Sequence, residues 1–548
     1  MQFAPGYLSR RRFIYSLGAA ATYSLLPGCV KRETLVEVGD RKGIFHLGNG
    51  AEPADLDPHV VTGTPDYHVI MSLLEGLVSE DPKDLHPVPG VAERWDISPD
   101  RKVYTFHLRE NAKWSNGETL TAHDFYEAYK RILTPSLASE YSYMHFVVKN
   151  TEAYKTGKLK DFSQCGYKVI DDRTLEVTLN NPTPYFLSLL LHDSWYPVHL
   201  PTIRKYGDPY QRGSKWTRPG RYVGNGSFVL AKWHVNEVIE VRKSPTYWDR
   251  DRVKLNAIRF YPIESIDTEE RAFRAGQLHI TYDLPPSKIA YYKANNPEVL
   301  KIFPFLTTYF YRVNVTKPPV NDVRVRRALA MAIDRESIVK DIMKGGQMPA
   351  FNLTPPGTGG YTCRAKLTEN VAEARRLLAE AGFPGGKGMP PVEILYNTLE
   401  YHRTIAEAIQ QMWRTRLGVD ARLVNQEWKV YLDSLRSLNY QVARAGWTGD
   451  YNDPNSFLDM WTTGNGNNET GWSNAEYDRL IAQAAATVDP KARLEVFQKA
   501  EALLVDELPM IPIYFYTRVY LQRPEVRGWY PTILDNHPYK YVYLEAPK

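Results

Sequence analysis

The chain has 548 residues, of which 43% are hydrophobic and 24% charged. This length excludes a single ordinary core and predicts two or three lobes of a soluble globular protein. The formal charge of +5 falls to +2 without the first 28 residues, which contain three arginines and no Asp or Glu. A near-neutral remainder excludes the strongly basic surface with which proteins bind nucleic-acid phosphates.

The amino terminus carries the pattern of an export signal. Residues Ser9–Ile14, SRRRFI, form a twin-arginine pattern ahead of the apolar run Phe13–Leu26, which is too short to span a membrane. The run leads into LPGC, which resembles a bacterial lipoprotein processing site except that Pro27 replaces the usual small residue. We predict that residues 1–28 are a signal peptide and that Cys29 is lipidated. The alternative is a chance basic patch before a small hydrophobic helix.

This signal predicts where the mature protein resides. We expect it to be exported to the periplasm or cell surface and held to a bacterial membrane by the lipid on Cys29. The two other cysteines, Cys165 and Cys363, would then meet an oxidising compartment. The sequence leaves open whether they form a bridge or stay as two free thiols.

The first part of the mature chain combines a tether with short elements. Lys31–Arg41 is polar and predicts a tether, and Ile44–Gly48 predicts the first strand. Pro65 favours extended geometry at Thr64, so the segment Thr62–Gly63–Thr64 is expected to expose β-like backbone groups. Val69–Val78 is apolar at helical spacing.

The next 200 residues predict mainly antiparallel strands. The turn 98–100 predicts a hairpin, and Thr121 with Asp124 predicts a capping box for a helix over Phe125–Ile132. Strand pairs are also expected around the turns 171–173 and 224–226. The other predicted elements are helices Tyr185–Leu191 and Glu269–Gly276 and a strand Leu278–Tyr282.

Beyond Tyr309 helices alternate with strands. The strand–helix–strand order around residues 392–424 implies a parallel unit, so the fold class is α/β. The predicted helices are Val323–Ile333, Arg335–Met343, Glu369–Ala381, His402–Leu417, Asn474–Thr487 and Pro490–Asp506. The predicted strands are Val392–Tyr396, Val419–Val424 and Pro509–Tyr516.

The stretch Val442–Phe457, VARAGWTGDYNDPNSF, predicts a strand that runs into a turn rich in Gly, Asp, Asn and Pro. Asp450 lies just past the strand end, beside Trp447 and Tyr451, so it is an anion in a partly apolar wall. We expect its cation to be the amino terminus of a captured peptide. A calcium loop is the alternative, but the glycine and acid spacing of an EF-hand is missing and Pro454 stands in the wrong place.

Seven blocks in one order resemble solute-binding proteins of peptide-importing ABC transporters, particularly the oligopeptide-binding type. The resemblance covers nearly all of the mature chain. The blocks are Pro87–Glu93, Thr105–Asn116, Ser244–Trp248, Lys317–Arg327, Asn425–Lys429, Val442–Trp447 and Asp450–Asn452.

The resemblance implies a bilobal periplasmic-binding-protein-like α/β fold that closes on its ligand about a two-stranded hinge. It implies a monomer without a metal or cofactor, and an ABC permease and ATPase complex as partners. Lobe I would comprise residues 30–74, 199–306 and 518–548. Residues 75–198 would form an inserted α/β domain, and residues 307–517 would form lobe II.

The resemblance also implies the site. A binder of many peptides must recognise groups that all peptides share. Asp450 would hold the ligand's ammonium group, while Arg444 and His402 would serve its carboxyl end or acidic side chains, His402 as a pH-dependent donor. The remaining implied contacts are the backbones of Thr62, Gly63, Thr64, Gly446, Trp447 and Thr448, side-chain pockets at Trp428 and Tyr141, and polar hydrogen bonds from Asn397.

Three departures from the family pattern concern the carboxyl end and a bridge. Leu435 replaces a usual arginine, with Arg436 adjacent, and Met343 replaces a lysine, with Lys344 adjacent. Two cysteines that bridge in some relatives are threonines here, at positions 307 and 448. We therefore expect carboxylate recognition, and with it peptide length, to differ from the family.

Other functions were weighed against peptide capture. An enzyme would need a catalytic set, but the sequence has no His-Glu-x-x-His or Gly-x-Ser-x-Gly motif, and the glycine spacing of 382–388 does not fit a phosphate loop. The same fold could bind a dipeptide, a nickel chelate, a sugar or a signalling peptide, or act as a peptide sensor. Asp450 together with Arg444 favours a zwitterion over a neutral sugar.

Overall fold

A computed structural model describes residues 33–545, so the predicted signal peptide and Cys29 lie outside the described residues. No described helix has both the length and the apolar character needed to cross a membrane. The helices are α1 Leu35–Lys42, α2 Thr64–Leu73, α3 Ala122–Leu133, α4 Thr151–Lys155, α5 Phe186–Leu189, α6 Leu200–Tyr206, α7 Ile266–Arg274, α8 Pro286–Asn295, α9 Val323–Met331, α10 Arg335–Ser337, α11 Val371–Glu380, α12 Glu400–Leu417, α13 Trp428–Arg436, α14 Asn455–Leu458, α15 Ala475–Ala486 and α16 Pro490–Glu507.

The strands in the same range are β1 Ile44–Gly48, β2 Val78–Glu80, β3 Pro87–Pro89, β4 Ala92–Ile97, β5 Val103–Leu108, β6 Tyr167–Asp171, β7 Thr174–Thr178, β8 Phe228–His234, β9 Val238–Lys243, β10 Ala257–Tyr261, β11 Leu300–Val313, β12 Met348–Pro349, β13 Val392–Asn397, β14 Ala421–Gln426, β15 Val442–Thr448, β16 Met510–Leu521, β17 Val526–Arg527 and β18 Tyr543–Leu544.

The predicted tether is wrong from Thr34 onward, because this segment is helix α1. Thr34 and Glu37 form a reciprocal capping box, and the left-handed Gly43 ends the helix. Val36 is buried, and its N–H donates to the carbonyl of Gly276 at 2.9 Å. A short helix that looks polar in sequence is thus held by its caps and by one buried contact.

Two four-stranded sheets form the first half of the structure. One has the order β1-β10-β9-β8, with β1 parallel to β10, and the other is the antiparallel sheet β4-β5-β7-β6. The predicted hairpin is confirmed as β4–β5, and the capping box of Thr121 and Asp124 begins α3. The strand predicted over Leu278–Tyr282 is wrong, because Ile280 makes only isolated bridges, to Leu47 and Gln522.

The third large sheet has six strands in the order β12-β16-β11-β15-β13-β14. The predicted parallel unit is confirmed, since β13 and β14 run parallel on either side of α12 in the chain. Buried side chains of α9, α11 and α12 pack with those of this sheet in one hydrophobic core. The amphipathic patterns of these helices therefore cover the sheet, as the sequence predicts.

Strands β11 and β16 connect the two halves. They pair antiparallel over most of their length, with a break in register between Pro304 and Thr308. Beyond the break they belong to the six-stranded sheet, while Gln522, just past β16, bridges to Ile280 beside β1. The fold is therefore bilobal α/β with a two-stranded connection, as expected. Cys165 and Cys363 are both free and buried.

A buried ion pair ties the segment after β1 to helix α3. Arg131 donates to both carboxylate oxygens of Asp57, at 2.9 and 2.6 Å, and the two side chains are 0% and 7% exposed. Removing one partner of such a pair leaves an uncompensated buried charge. This pair is therefore a sensitive point of the fold.

We predict that Asp57→Ala lowers the free energy of unfolding by about 3–5 kcal/mol, the usual cost of breaking a buried pair. Urea denaturation followed by tryptophan fluorescence and circular dichroism measures the change. The control is Glu110→Ala, which removes an exposed ion pair with Arg173 and should cost at most about 1 kcal/mol. Equal losses for the two variants would contradict the prediction.

Candidate functional site

A cavity of about 290 Å³ lies between the two halves of the fold. All twelve predicted binding residues line it, although they come from six separate parts of the chain. They are Thr62, Gly63, Thr64, Tyr141, Asn397, His402, Trp428, Arg444, Gly446, Trp447, Thr448 and Asp450. The fold thus brings the predicted set together, while the part that each residue plays in binding stays a prediction.

Strand β15 presents a free edge to this cavity. On one side it pairs with β11 along its whole length, from Val442 to Thr448. On the other side β13 pairs only with Val442 and Ala443, so no described strand continues along residues 444–448. Gly446 is exposed at this edge. The geometry suits the addition of an extended chain.

The segment Thr62–Gly63–Thr64 forms the opposite wall, and its expected extended geometry is wrong at Thr64. Thr64 is not extended, because it is the first residue of α2, and the extended backbone ends at Gly63 with φ −97° and ψ 140°. Pro65 is the second helical residue, where its missing N–H is no loss. In the described chain the N–H groups of Thr62, Gly63 and Thr64 donate to no protein acceptor. They therefore stay available to a ligand.

Asp450 is an unpaired acid in the cavity wall. Its side chain is 9% exposed, and its Oδ2 atom is buried without a hydrogen-bond partner in the described chain. Its backbone N–H donates to Ser456 Oγ at 2.6 Å, which fixes the turn after β15. Burial, and then the carboxylates of Asp459 and Asp193, raise the pKa of Asp450 well above its usual value. No described lysine or arginine pairs with Asp450.

His192 is the closest basic group to Asp450 but cannot supply a cation. Its Nε2 atom lies 3.5 Å from Asp450 Oδ1. Its Nδ1 atom accepts from the N–H of Ser194 at 3.2 Å, so the proton of the neutral ring lies on Nε2. Burial lowers the pKa of His192 to about 3. The ring thus offers Asp450 a weak neutral donor and leaves its charge uncompensated.

Arg444 is the complementary unpaired cation. It donates to Tyr516 Oη at 2.7 Å and more distantly to Asn397 Oδ1 at 3.4 Å, and its guanidinium lies 4.8 Å from the ring centre of Tyr309. Its Nε atom is buried without an acceptor, and no described carboxylate pairs with it. One strand and the turn after it thus carry an unpaired cation and an unpaired anion.

The remaining predicted side chains form the walls. Tyr141 stacks near Trp447 with ring centres 6.3 Å apart, and Trp428 stacks on Tyr431 at 5.6 Å. The indole N–H of Trp428 is buried without an acceptor in the described chain. These faces provide apolar surface with a few free polar groups, which is usual for ligand pockets.

The expected role of His402 as a pH-dependent donor to the ligand stays a prediction. Burial, and then the charge of Arg444, hold the pKa of His402 well below its usual value in the described chain. Tyr309 Oη lies 3.3 Å from its Nδ1.

The three departures from the family pattern lie as follows. Arg436 does not line the cavity but pairs with Glu140 at 2.9 Å, and Lys344 also lies outside the cavity lining. Thr307 and Thr448 face each other in the β11–β15 register, and the Thr307 hydroxyl donates to Thr448 Oγ1 at 2.9 Å. A hydrogen bond thus stands where some relatives have a bridge.

Contacts across the cavity show that its two walls are close together. A Cβ atom placed on Gly63 would lie 3.3 Å from the ring of Trp428, and Tyr401 donates to Asp283 at 3.1 Å. Tyr185 and Tyr451 stack with ring centres 5.1 Å apart. The two walls of the cavity therefore contact each other in the described chain.

Several lining residues were missed by sequence reasoning. They include Glu80, His192, Asp193, Asp283, Tyr516, Arg518 and Asp535. Arg518 lies at 2.6 Å from Asp535, which neutralises its charge. The spacing of Tyr516 and Arg518, two apart on a strand, could have indicated a shared face. The other missed residues carry no such signal in the sequence, because only the folded chain brings them to the cavity.

The chain is similar to known proteins over most of its length. Residues 86–469 match the family described as bacterial extracellular solute-binding proteins, family 5 (middle). The chain is 40% identical over 523 residues to the periplasmic oligopeptide-binding protein OppA of Salmonella typhimurium, covering 93% of this chain and 94% of that protein.

Solved structures of similar proteins share the whole fold. Haemophilus influenzae OppA in complex with the peptide RPPGFSPFR has a TM-score of 0.86 at 35% identity, with 92% of this chain and 99% of that chain covered. The murein tripeptide-binding protein MppA of Escherichia coli also gives 0.86 at 35% identity, with coverages of 91% and 98%. The unliganded open form of MppA gives a TM-score of only 0.61, with 92% of this chain and 97% of that chain covered. The lobes of the described chain are thus arranged differently from that open form.

The raised pKa of Asp450 predicts a pH effect on closure without ligand. Closing the empty cavity buries this acid, and a group whose pKa is raised in the closed state takes up a proton there, so closure is favoured as pH falls. We expect the radius of gyration of the empty protein, measured by X-ray scattering, to decrease between pH 7 and pH 5. Asp450→Asn should already be more closed at pH 7 and should respond less to pH. An identical pH response in both proteins would contradict this assignment.

Proposed function

Because the chain belongs to the bacterial extracellular solute-binding proteins of family 5, a family of binding proteins and not enzymes, we propose that it captures short peptides in this cavity. It would deliver them to the permease and ATPase complex of an ABC importer. The 40% identity to a periplasmic oligopeptide-binding protein supports this cargo and an exported, periplasmic location.

The observation that carries the proposal is the pair of unsatisfied charges. Asp450 lacks a cation and Arg444 lacks an anion within the described chain, and both line one cavity. A buried charge without a partner is costly, so each end favours a ligand that supplies the opposite charge. A peptide is a zwitterion that supplies both: its ammonium group would bind Asp450, and its carboxylate would bind Arg444 in a fork.

The free edge of β15 accounts for tolerance of many side chains. An extended peptide would add to this edge through its backbone N–H and C=O groups, opposite the free N–H groups of residues 62–64. Gly446 leaves room for the close approach of a second backbone. Recognition would thus depend on groups that every peptide has, and the pockets at Trp428 and Tyr141 would accept varied side chains.

The proposed domain boundaries follow the sheets. Lobe I would comprise residues 30–74, 199–306 and 518–548, with the inserted domain at 75–198 and lobe II at 307–517. Strands β11 and β16 cross both boundaries between the lobes, so they would form the hinge. We also propose that the mature protein is a monomer anchored through a lipid on Cys29.

The amine anchor is tested by removing Asp450. We predict that Asp450→Ala weakens binding of free-amine tri- and tetrapeptides by roughly 1.5–3 kcal/mol, the usual contribution of a hydrogen bond to a charged group. The same peptides with acetylated amino termini should bind equally weakly to both proteins. Titration calorimetry measures both series.

The acetylated peptides are the matched ligand control, and Glu152→Gln, an exposed residue outside the cavity, is the protein control. If Asp450→Ala lost equal affinity for free-amine and acetylated peptides, the assignment of Asp450 as the amine anchor would be wrong. Mass spectrometry of what co-purifies with the mature protein would identify another cargo, such as a nickel chelate.

Closure on the ligand is tested by scattering. If β11 and β16 act as a hinge, saturating peptide should lower the radius of gyration at pH 7, because the empty protein would be open. The change should be much smaller in the presence of acetylated peptides at the same concentration. No compaction with any bound peptide would count against a hinge-closing binder.

A further inference from the structure

The cavity lining contains more acidic than basic side chains. Its lining contains six acids and two arginines, and no lysine. Arg518 is paired with Asp535, which leaves Arg444 as the unpaired lining cation. The lining histidines His68, His192 and His402 are neutral, since burial lowers the pKa of each. The acids are Glu80, Asp193, Glu264, Asp283, Asp450 and Asp535.

Glu80 is the most informative of these acids. It is 6% exposed, and its Oε1 atom accepts from Asn536 Nδ2 at 2.8 Å. Its Oε2 atom is buried and has no hydrogen-bond partner in the described chain. Lys540 is the cation whose charge acts on Glu80, but its ammonium group is hydrogen-bonded to Glu75 at 3.1 Å. Glu80 thus lines the cavity, and one of its carboxylate oxygens is buried without a hydrogen-bond partner in the described chain.

Glu80 lies at the same end of the cavity as Asp450. Glu80 and Leu191 line both the main cavity and a smaller one of about 40 Å³. Leu191 is followed in the chain by His192, which contacts Asp450, and by the buried Asp193. Burial, and then the charges of groups that include Glu80, Asp193 and Asp450, raise the pKa of the Tyr67 phenol. Glu80 and Asp193 thus line the same cavity as the proposed amine anchor, and all three carboxylates act on Tyr67.

We propose that Glu80 and Asp193 form a subsite for a cationic side chain near the amino end of the ligand, so that the preferred ligands are peptides beginning with lysine or arginine. This inference rests on the proposed peptide-binding function and adds a side-chain preference to it. An ammonium or guanidinium group would satisfy Glu80 Oε2 and offset charge that the ligand's own termini leave unbalanced.

The protonation of Glu80 agrees with such a role. Burial raises the pKa of Glu80 to about 7, so the empty protein holds it partly neutral. A nearby cation favours the charged form of a carboxyl group. The acid would lose its proton when a lysine side chain arrives, and would remain protonated, and less costly, beside an apolar side chain.

The test uses tripeptides X-Ala-Ala in which X is lysine, norleucine or glutamate, with titration calorimetry at pH 7. Norleucine matches the length of the lysine stem without its charge. We expect the lysine peptide to bind roughly tenfold more tightly than the norleucine peptide, which corresponds to the low end for a charge-assisted hydrogen bond. The glutamate peptide should bind most weakly. Ala-Ala-Lys should show a smaller gain than Lys-Ala-Ala.

The protein variants locate the effect. In Glu80→Gln the ratio of the lysine to the norleucine affinity should fall toward one, while Glu152→Gln, with the same change of charge on the exposed surface, should keep it. Equal affinities of the lysine and norleucine peptides for the unchanged protein would overturn the inference, and this arm needs no variant to fold. A ratio that survives both Glu80→Gln and Asp193→Asn would also overturn it. If no peptide binds at all, the proposed peptide-binding function fails. If peptides bind but the lysine and norleucine peptides bind equally, only the proposed cationic subsite fails.

Discussion

The edge of strand β15 that β13 leaves unpaired is the constraint on which the site depends. Backbone N–H and C=O groups that face a cavity must bond to water or to a ligand. Because β13 diverges after Ala443, residues 444–448 have no described strand on that side, while β11 pairs with them on the other side. The Arg444 carbonyl accepts from the Tyr431 hydroxyl. The same strand therefore belongs to the lobe II sheet and offers its edge to a ligand.

Opposite charges lie at the two ends of this free edge. Arg444 lies where the free edge begins, and Asp450 lies just past its end, each without a counter-charge in the described chain. Two buried charges without partners are costly, and a correctly oriented zwitterion would supply a partner to each. In the proposed function, ligand capture and lobe closure would be coupled through these two side chains.

Much of the fold follows from local patterns that the sequence displays. Capping residues such as Thr121, alternation in β5 and the strand–helix–strand order around α12 predict elements that the structure contains. The errors have local causes too. Helix α1 looks polar because only Val36 and Gly39 are buried, and the strand expected at Ile280 has too few partners to extend beyond single bridges.

The sequence by itself predicts the proposed anchor, an aspartate after a mostly buried strand in a block that resembles a peptide binder. The resemblance placed the twelve residues that line the cavity. Only the tertiary structure decided their states, because burial and neighbouring charges depend on packing between distant segments. It lowers the pKa of His402, starts α2 at Thr64, turns Arg436 toward Glu140, and brings Glu80 to the cavity. The proposed side-chain preference therefore rests on residues that no single stretch of sequence contains.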